Sequence, residues 1–229
     1  MSKGTNARKD TDTITRGYRD GSEKHVDACP TDAPASGWCG AFANAQPTET
    51  IGVKRLSNGE RVAALVSDGQ TVGMVWEKDG LTGVYGQRED VRQAAFCVGD
   101  TDAAQTIYLC TSFKTALQTL QHAPQSAVFG GRYTVKTALH AHTMQRQAKR
   151  DERREKREQG HDVPTEKPVV RAVVYDGANA WEKAQAHEAA LRFQLPLFVL
   201  DNGLTQTPVD TALATAREVT ASGKIRTSR

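Results

Sequence analysis

Large apolar residues come in short runs between turn dipeptides from residue 51 to 87, and from 106 to 219 short apolar runs take turns with segments of helical spacing. In the first stretch, GVKRL, RVAALVS, TVGMVWE and LTGVYG are rich in β-branched and aromatic residues, as strands are. They are separated by Asn58-Gly59, Asp68-Gly69 and Asp79-Gly80. Such dipeptides suit type I′ turns, which need positive φ at both central residues, so the stretch predicts an antiparallel β-meander. Trp76 and Tyr85 are expected to cover that sheet, with base stacking as the rarer alternative.

From residue 106 the period changes. TIYLC (106–110) is a short apolar run suited to a buried parallel strand. After it, Phe113, Ala116, Leu117 and Leu120 stand at i, i+3, i+4 and i+7, one face of a helix, with Thr111 or Ser112 as N-cap. SAVF (126–129) is a second strand, ended by Gly130-Gly131, and a helix using Val135, Ala138 and Leu139 follows. VVRAVVY (169–175) and PLFVL (196–200) are further strands, and AWEKAQAHEAALRF between them reads as a helix. A last helix should start at Thr207-Pro208-Val209-Asp210, which offers a cap, Pro at the first position and an acid three residues after the cap. Strand and helix thus alternate four times, which predicts an α/β fold: a parallel four-stranded sheet with flanking helices, preceded by the small meander.

Composition sharpens the boundaries. Leu, Ile, Val and Phe number 42 of 229 residues, about 18%, low enough to raise the question of disorder. Of these, 37 lie in 51–139 and 169–219. The expected organisation is therefore a disordered tail over 1–48, a meander subdomain over 49–100, an α/β domain over 101–220 and a disordered tail over 221–229. Within the α/β domain, 146–168 reads as a charged helical insertion. Residues 146–158 hold seven basic and four acidic side chains, read here as a solvated face.

Charge and cysteines narrow the class. The formal net charge is +3 and the pI near 8.7, a mildly basic balance compatible with a nucleic-acid partner. No stretch approaches the roughly 18 consecutive apolar residues of a membrane span. The first residues carry charges throughout and no apolar signal core, so the expected location is the cytoplasm. Cys29, Cys39, Cys97 and Cys110 form no C-x-x-C pair, and Cys110 reads as a small hydrophobe at a strand end. His140 and His142 should point to different sides of a helix, and His187 should lie at the surface of its Ala-rich helix.

Ligands of open parallel sheets collect at the carboxyl ends of the strands. Four loops are expected there: Thr111-Ser112, Gly130-Gly131-Arg132, Asp176-Gly177-Ala178-Asn179 and Asp201-Asn202-Gly203. Asp176 and Asp201 are candidate ligands for a hard cation such as Mg²⁺, or simply turn and cap residues. Lys114, Arg132 and Lys136 are candidate phosphate contacts near the same edge, with ordinary surface charge as the alternative.

The order of these pieces resembles the Toprim domain of phage and plasmid primases. TIYLCTSFKTALQTLQ is similar to the family's first motif, C-E-G-[FY]-x-T-A-L, matched by Cys110, Phe113, Thr115, Ala116 and Leu117. AVFGGRYTVKTAL is similar to the next strand, turn and helix, and VVRAVVYDGANAWEKAQAHEAAL to the D-x-D strand with its Ala-rich helix. The meander resembles the β-segment that precedes the domain in mobile-element primases. The resemblance spans residues 50–220.

It implies a phage or plasmid protein of DNA replication or related nucleic-acid transactions, in the cytoplasm of a bacterial host. Single-stranded DNA or RNA are the implied partners. Replication proteins or another protein could bind through the N-terminal tail or charged helix. The departures bear on catalysis. The family's general acid/base Glu falls on Thr111, and the second acid of D-x-D on Ala178, with Asp176 keeping the first. A hydroxyl cannot replace a carboxylate in proton transfer near pH 7. Losing two of three carboxylates removes most of the charge that holds Mg²⁺. Asp201, Glu182 or Glu188 are the acids that could compensate. The expectation is weakened or lost catalysis. The alternatives are a divergent Mg²⁺-dependent nucleotidyl- or phosphoryl-transfer enzyme and a non-catalytic interaction scaffold.

Overall fold

The fold is that of a computed structural model describing residues 13–15, 25–27, 38–86, 88–163 and 168–214. Strands β1 (Thr13–Thr15) and β2 (His25–Asp27) pair antiparallel as a small separate sheet. Helix α1 (Trp38–Ala43) and short strands β3 (Gln46–Pro47) and β4 (Lys54–Arg55) follow. The rest of the expected N-terminal tail lies outside the described residues, as does the C-terminal one.

The meander consists of β5 (Arg61–Ser67), β6 (Gln70–Lys78) and β7 (Leu81–Gly86). Two of its turns have the expected chemistry. Asp68 and Gly69 adopt φ of 49° and 77°, and Asp79 and Gly80 adopt 53° and 79°, the doubly left-handed pattern of type I′. The turn at Asn58-Gly59 differs. Only Gly59 is left-handed; its N–H and that of Leu56 bond to Leu56 O and Glu60 O at 2.9 Å, closing a three-residue loop. The Asn58 carboxamide accepts from Glu60 N instead of occupying a left-handed position.

Next come α2 (Arg88–Gln93), β8 (Ala95–Gly99), β9 (Thr106–Cys110), α3 (Phe113–His122) and β10 (Ser126–Gly131). They are followed by α4 (Val135–Glu158), β11 (Val170–Asp176), α5 (Ala180–Phe193), β12 (Leu197–Leu200) and β13 (Leu204–Thr207). Ser112 caps α3 and Thr134 caps α4 through their side chains. The charged segment is no separate element, since α4 runs unbroken to Glu158. Among the described residues, no helix is long and apolar enough to cross a membrane.

Strands β10, β9, β11 and β12 pair in parallel in that spatial order, as the strand-helix alternation predicted. They do not form a sheet of their own. Strand β8 adds antiparallel to β10, β13 adds antiparallel to β12, and β8 meets β5 at Val66 and Ala95. Meander and α/β strands therefore share one eleven-stranded mixed sheet. The link is β8, AFCVG, a strand that was not among the expected elements.

Helices cover both faces. Phe113, Ala116 and Leu117 of α3 share a core with Leu65, Val75, Val84, Phe96, Tyr108 and Val174, so the meander wraps the face on which α3 lies. Val135 and Ala138 of α4 and Ala186, Ala189 and Ala190 of α5 share the opposite core with Ile107, Leu109, Phe129 and Val173. A third cluster gathers Trp76, Met74 and Val62 under Phe42 and Tyr85, so Trp76 is a core residue. Cys110 is fully buried, as expected of a small hydrophobe.

Three local expectations are corrected. Gly130-Gly131 belongs to β10, where a Cβ on Gly130 would enter the Phe96 ring, so the glycine serves close packing and not a loop. Thr207 ends β13 opposite Leu197, and the last helix begins at 211–214, capped by Asp210, whose carboxylate accepts from Leu213 N at 3.0 Å. The hairpin back from β12 uses up the residues that would have started it earlier. His187 is 3% exposed because α5 turns that side toward the sheet, against Tyr175.

Candidate functional site

The chain leaves β9 for β10 on one side and crosses back to β11 on the other. Between β9 and β11 lies the topological switch point, and its carboxyl edge is where open α/β sheets form crevices. Two loops meet there: Thr111-Ser112 after β9, and Gly177 to Asn179 after β11.

These loops are braced to each other. Lys114, in the first turn of α3, places Nζ 2.9 Å from Asp176 Oδ2. The other oxygen of Asp176, Oδ1, accepts from Ala178 N at 3.0 Å, an Asx turn that shapes the loop. Beneath this pair lies Glu182 of α5, 3% exposed. Its Oε2 accepts from the Thr115 hydroxyl at 2.7 Å and from Asp176 N at 3.3 Å, and its Oε1 accepts from Asn179 Nδ2 at 3.0 Å. Burial pushes the Glu182 carboxyl above its ordinary range, against the pull of its hydrogen-bond donors. Thr115 belongs to a helix on one face of the sheet and Glu182 to a helix on the other. Their hydrogen bond closes the crevice across the sheet edge.

Local sequence explains why Glu182 sits there. Asn179 is the N-cap of α5, accepting from Trp181 N and Glu182 N at 3.1 Å. Glu182 stands at the third helical position and returns a bond to the cap residue, here to its side-chain amide. Asn-x-x-Glu is a variant of the capping box, and that was the legible signal for this residue. Its burial was not legible, because it depends on α3 lying over the same edge.

The residues expected at the site are distributed unequally. Thr111 is buried at the crevice, 4% exposed, and Lys114 and Asp176 meet. Arg132 is buried, its guanidinium stacked over the Tyr133 ring at 4.8 Å from the centroid. Lys136 is exposed on the first turn of α4. Asp201 is exposed in the β12–β13 hairpin, beside Gly177, in a strand-to-strand loop where a strand-to-helix loop was expected.

The donor set fits Mg²⁺ poorly. A hard divalent cation wants several free oxygen ligands with net negative charge. Here Asp176 is neutralised by an ammonium, both oxygens of Glu182 are engaged by donors, and the position before Ser112 carries a hydroxyl. Among the described residues, no three His, Cys, Asp or Glu side chains are grouped to hold a metal ion. Chemically the edge is an internal salt bridge over a buried, hydrogen-bonded carboxyl. No family model, curated protein or solved structure matches the chain.

Proposed function

We propose that this chain is a Toprim-like, primase-related protein of a phage or plasmid, acting in nucleic-acid transactions with the family's metal-dependent catalysis lost. The observation that carries the reading is the Lys114–Asp176 ion pair. Asp176 is the one metal-binding acid that the resemblance keeps, and an ammonium from the chain itself stands against it. Proton transfer lacks its group as well, since Thr111 holds a hydroxyl where the family has Glu. The nucleic-acid context comes from the resemblance of residues 50–220 and from the basic balance of the chain.

Two assays on the full chain test this. Fluorescence anisotropy with labelled oligonucleotides should show binding that weakens steeply with salt and persists in EDTA. Incubation with template, nucleotides and Mg²⁺ should yield no primer. Template-directed synthesis that disappears in Asp176→Ala would overturn the loss of catalysis. Absence of affinity for any oligonucleotide at low salt would overturn the nucleic-acid role.

A further inference from the structure

Strands β4, β5 and β8 and the turn before β4 enclose a groove of about 360 Å³, lined by Phe42, Ile51, Val53, Ala64, Val66 and Cys97. Sites for small molecules begin at about 300 Å³. Ile51 is 60% exposed and Val66 39%, so two large apolar side chains meet water in one place. A bound apolar group would recover that cost. The groove is preformed. Ile51 O accepts from Gly99 N at 2.8 Å, and Val53 N donates to Thr50 O at 3.0 Å. Gly52, at φ 82°, lies so close to β8 that a Cβ would collide with Cys97 O. Burial pushes the Cys97 thiol up to about 12, against the pull of Lys149, so this part of the lining is uncharged near neutral pH.

Lys54 is the charged residue of the lining. Its Nζ stands 4.4 Å from the centroid of the Phe42 ring and donates to Phe42 O at 3.2 Å. A carbonyl is neutral and takes one of the three ammonium donors, so two donors and the whole positive charge remain. Among the described residues, no carboxylate lies within ion-pair distance of Lys54. A half-buried ammonium without a counter-ion is costly, and the face of one aromatic ring offsets only part of that cost.

We infer that this groove binds a free monocarboxylate with an apolar chain, the chain lying on Ile51, Ala64 and Val66 and the carboxylate on Lys54 Nζ. The apolar lining beside one uncompensated cation is the complement of such an amphiphile. A peptide fits less well, because each of its backbone amides needs a polar partner. The Thr48 hydroxyl, which also lines the groove, is already directed at Val53 O at 2.9 Å and Thr50 O at 3.3 Å. The inference is independent of the nucleic-acid reading and stands or falls apart from it.

The test is isothermal titration calorimetry of the full chain with decanoate, 1-decanol and decyltrimethylammonium, each below its micelle-forming concentration. The three share a chain and differ in the charge of the head. Decanoate should bind at one per chain and at least about tenfold tighter than decyltrimethylammonium, with decanol between them. Lys54→Met should remove that preference, and Lys54→Arg should keep it. Val66→Asp, at an exposed position, should weaken decanoate at least about tenfold by setting a like charge beside it. Glu49→Gln, exposed and outside the lining, should not weaken it. The comparison of head groups uses the parent chain and stands even where a variant fails to fold. Equal affinity for the three heads would overturn the carboxylate. Equal decanoate affinity in the parent, Lys54→Met and Val66→Asp would overturn the groove as its site. Binding of none of the three at millimolar concentration would overturn the inference as a whole.

Discussion

The Thr115 hydroxyl donates to Glu182 Oε2 at 2.7 Å, joining helices from opposite faces across the edge of one sheet. Both residues are buried, so neither can turn to water for a replacement partner. The contact gives the crevice its closed form and holds the backbone of Asp176, which also donates to Glu182.

Thr115→Val keeps the side-chain volume and removes the donor. A buried acceptor deprived of a partner costs about 1–3 kcal/mol, and urea denaturation should show that loss without a change in slope against denaturant. A stability equal to that of the parent would mean that the hydrogen bond contributes nothing net.

Glu182 also sets a pH dependence. Its carboxyl titrates above the ordinary value of 4.5 in the folded chain. The folded state then binds more protons than the unfolded one in that window, so stability falls as pH rises from about 4.5 through the raised value. Glu182→Gln removes the titration, so the stability of the parent minus that of the variant should rise as the pH is lowered toward 4.5. A difference that does not vary with pH would refute the assignment.

His187 acts in the opposite sense. Its Nδ1 accepts from Asp210 N at 2.6 Å, so that nitrogen is unprotonated and the ring neutral. Burial, with Lys183 nearby, holds the imidazole below its ordinary value of 6.5. The unfolded chain therefore takes up a proton more readily, and stability is lost as pH falls below about 6.5. Protection factors of the amides at 210–214 should fall on acidification, and His187→Gln, which retains an acceptor without titrating there, should abolish the fall.

Gly130→Ala brings a methyl group into the Phe96 ring, which itself lies edge-on to Phe113 at 5.4 Å between centroids. Overfilling a core of this kind costs about 1–3 kcal/mol, and Phe96→Leu in the same chain should recover part of it. Failure of the double variant to regain thermal stability would show that the glycine is needed for its backbone and not for the space.

Much of the fold was legible in the chain. TIYLC, SAVF, VVRAVVY and PLFVL are strands with the parallel neighbours that the intervening helices required. The site was legible only in outline. Thr111, Lys114 and Asp176 do lie at one edge, yet nothing in their spacing places the ammonium on the carboxylate, because 62 residues separate the two. Glu182 and His187 were placed wrongly or left open because a helix of Ala, Lys and Gln has two sides of similar polarity. Arg132 reads as a phosphate contact or as surface charge, and it is buried directly after the end of β10.

The sequence by itself determined most of the strands and helices and the positions of two type I′ turns, since periodicity and left-handed φ are properties of a few consecutive residues. Tertiary structure alone decided that meander and α/β strands share one sheet, that Glu182 and His187 are buried, and that Lys114 neutralises Asp176. Those outcomes depend on which distant segments meet, and burial and electrostatic pairing are set by that meeting, not by neighbours along the chain.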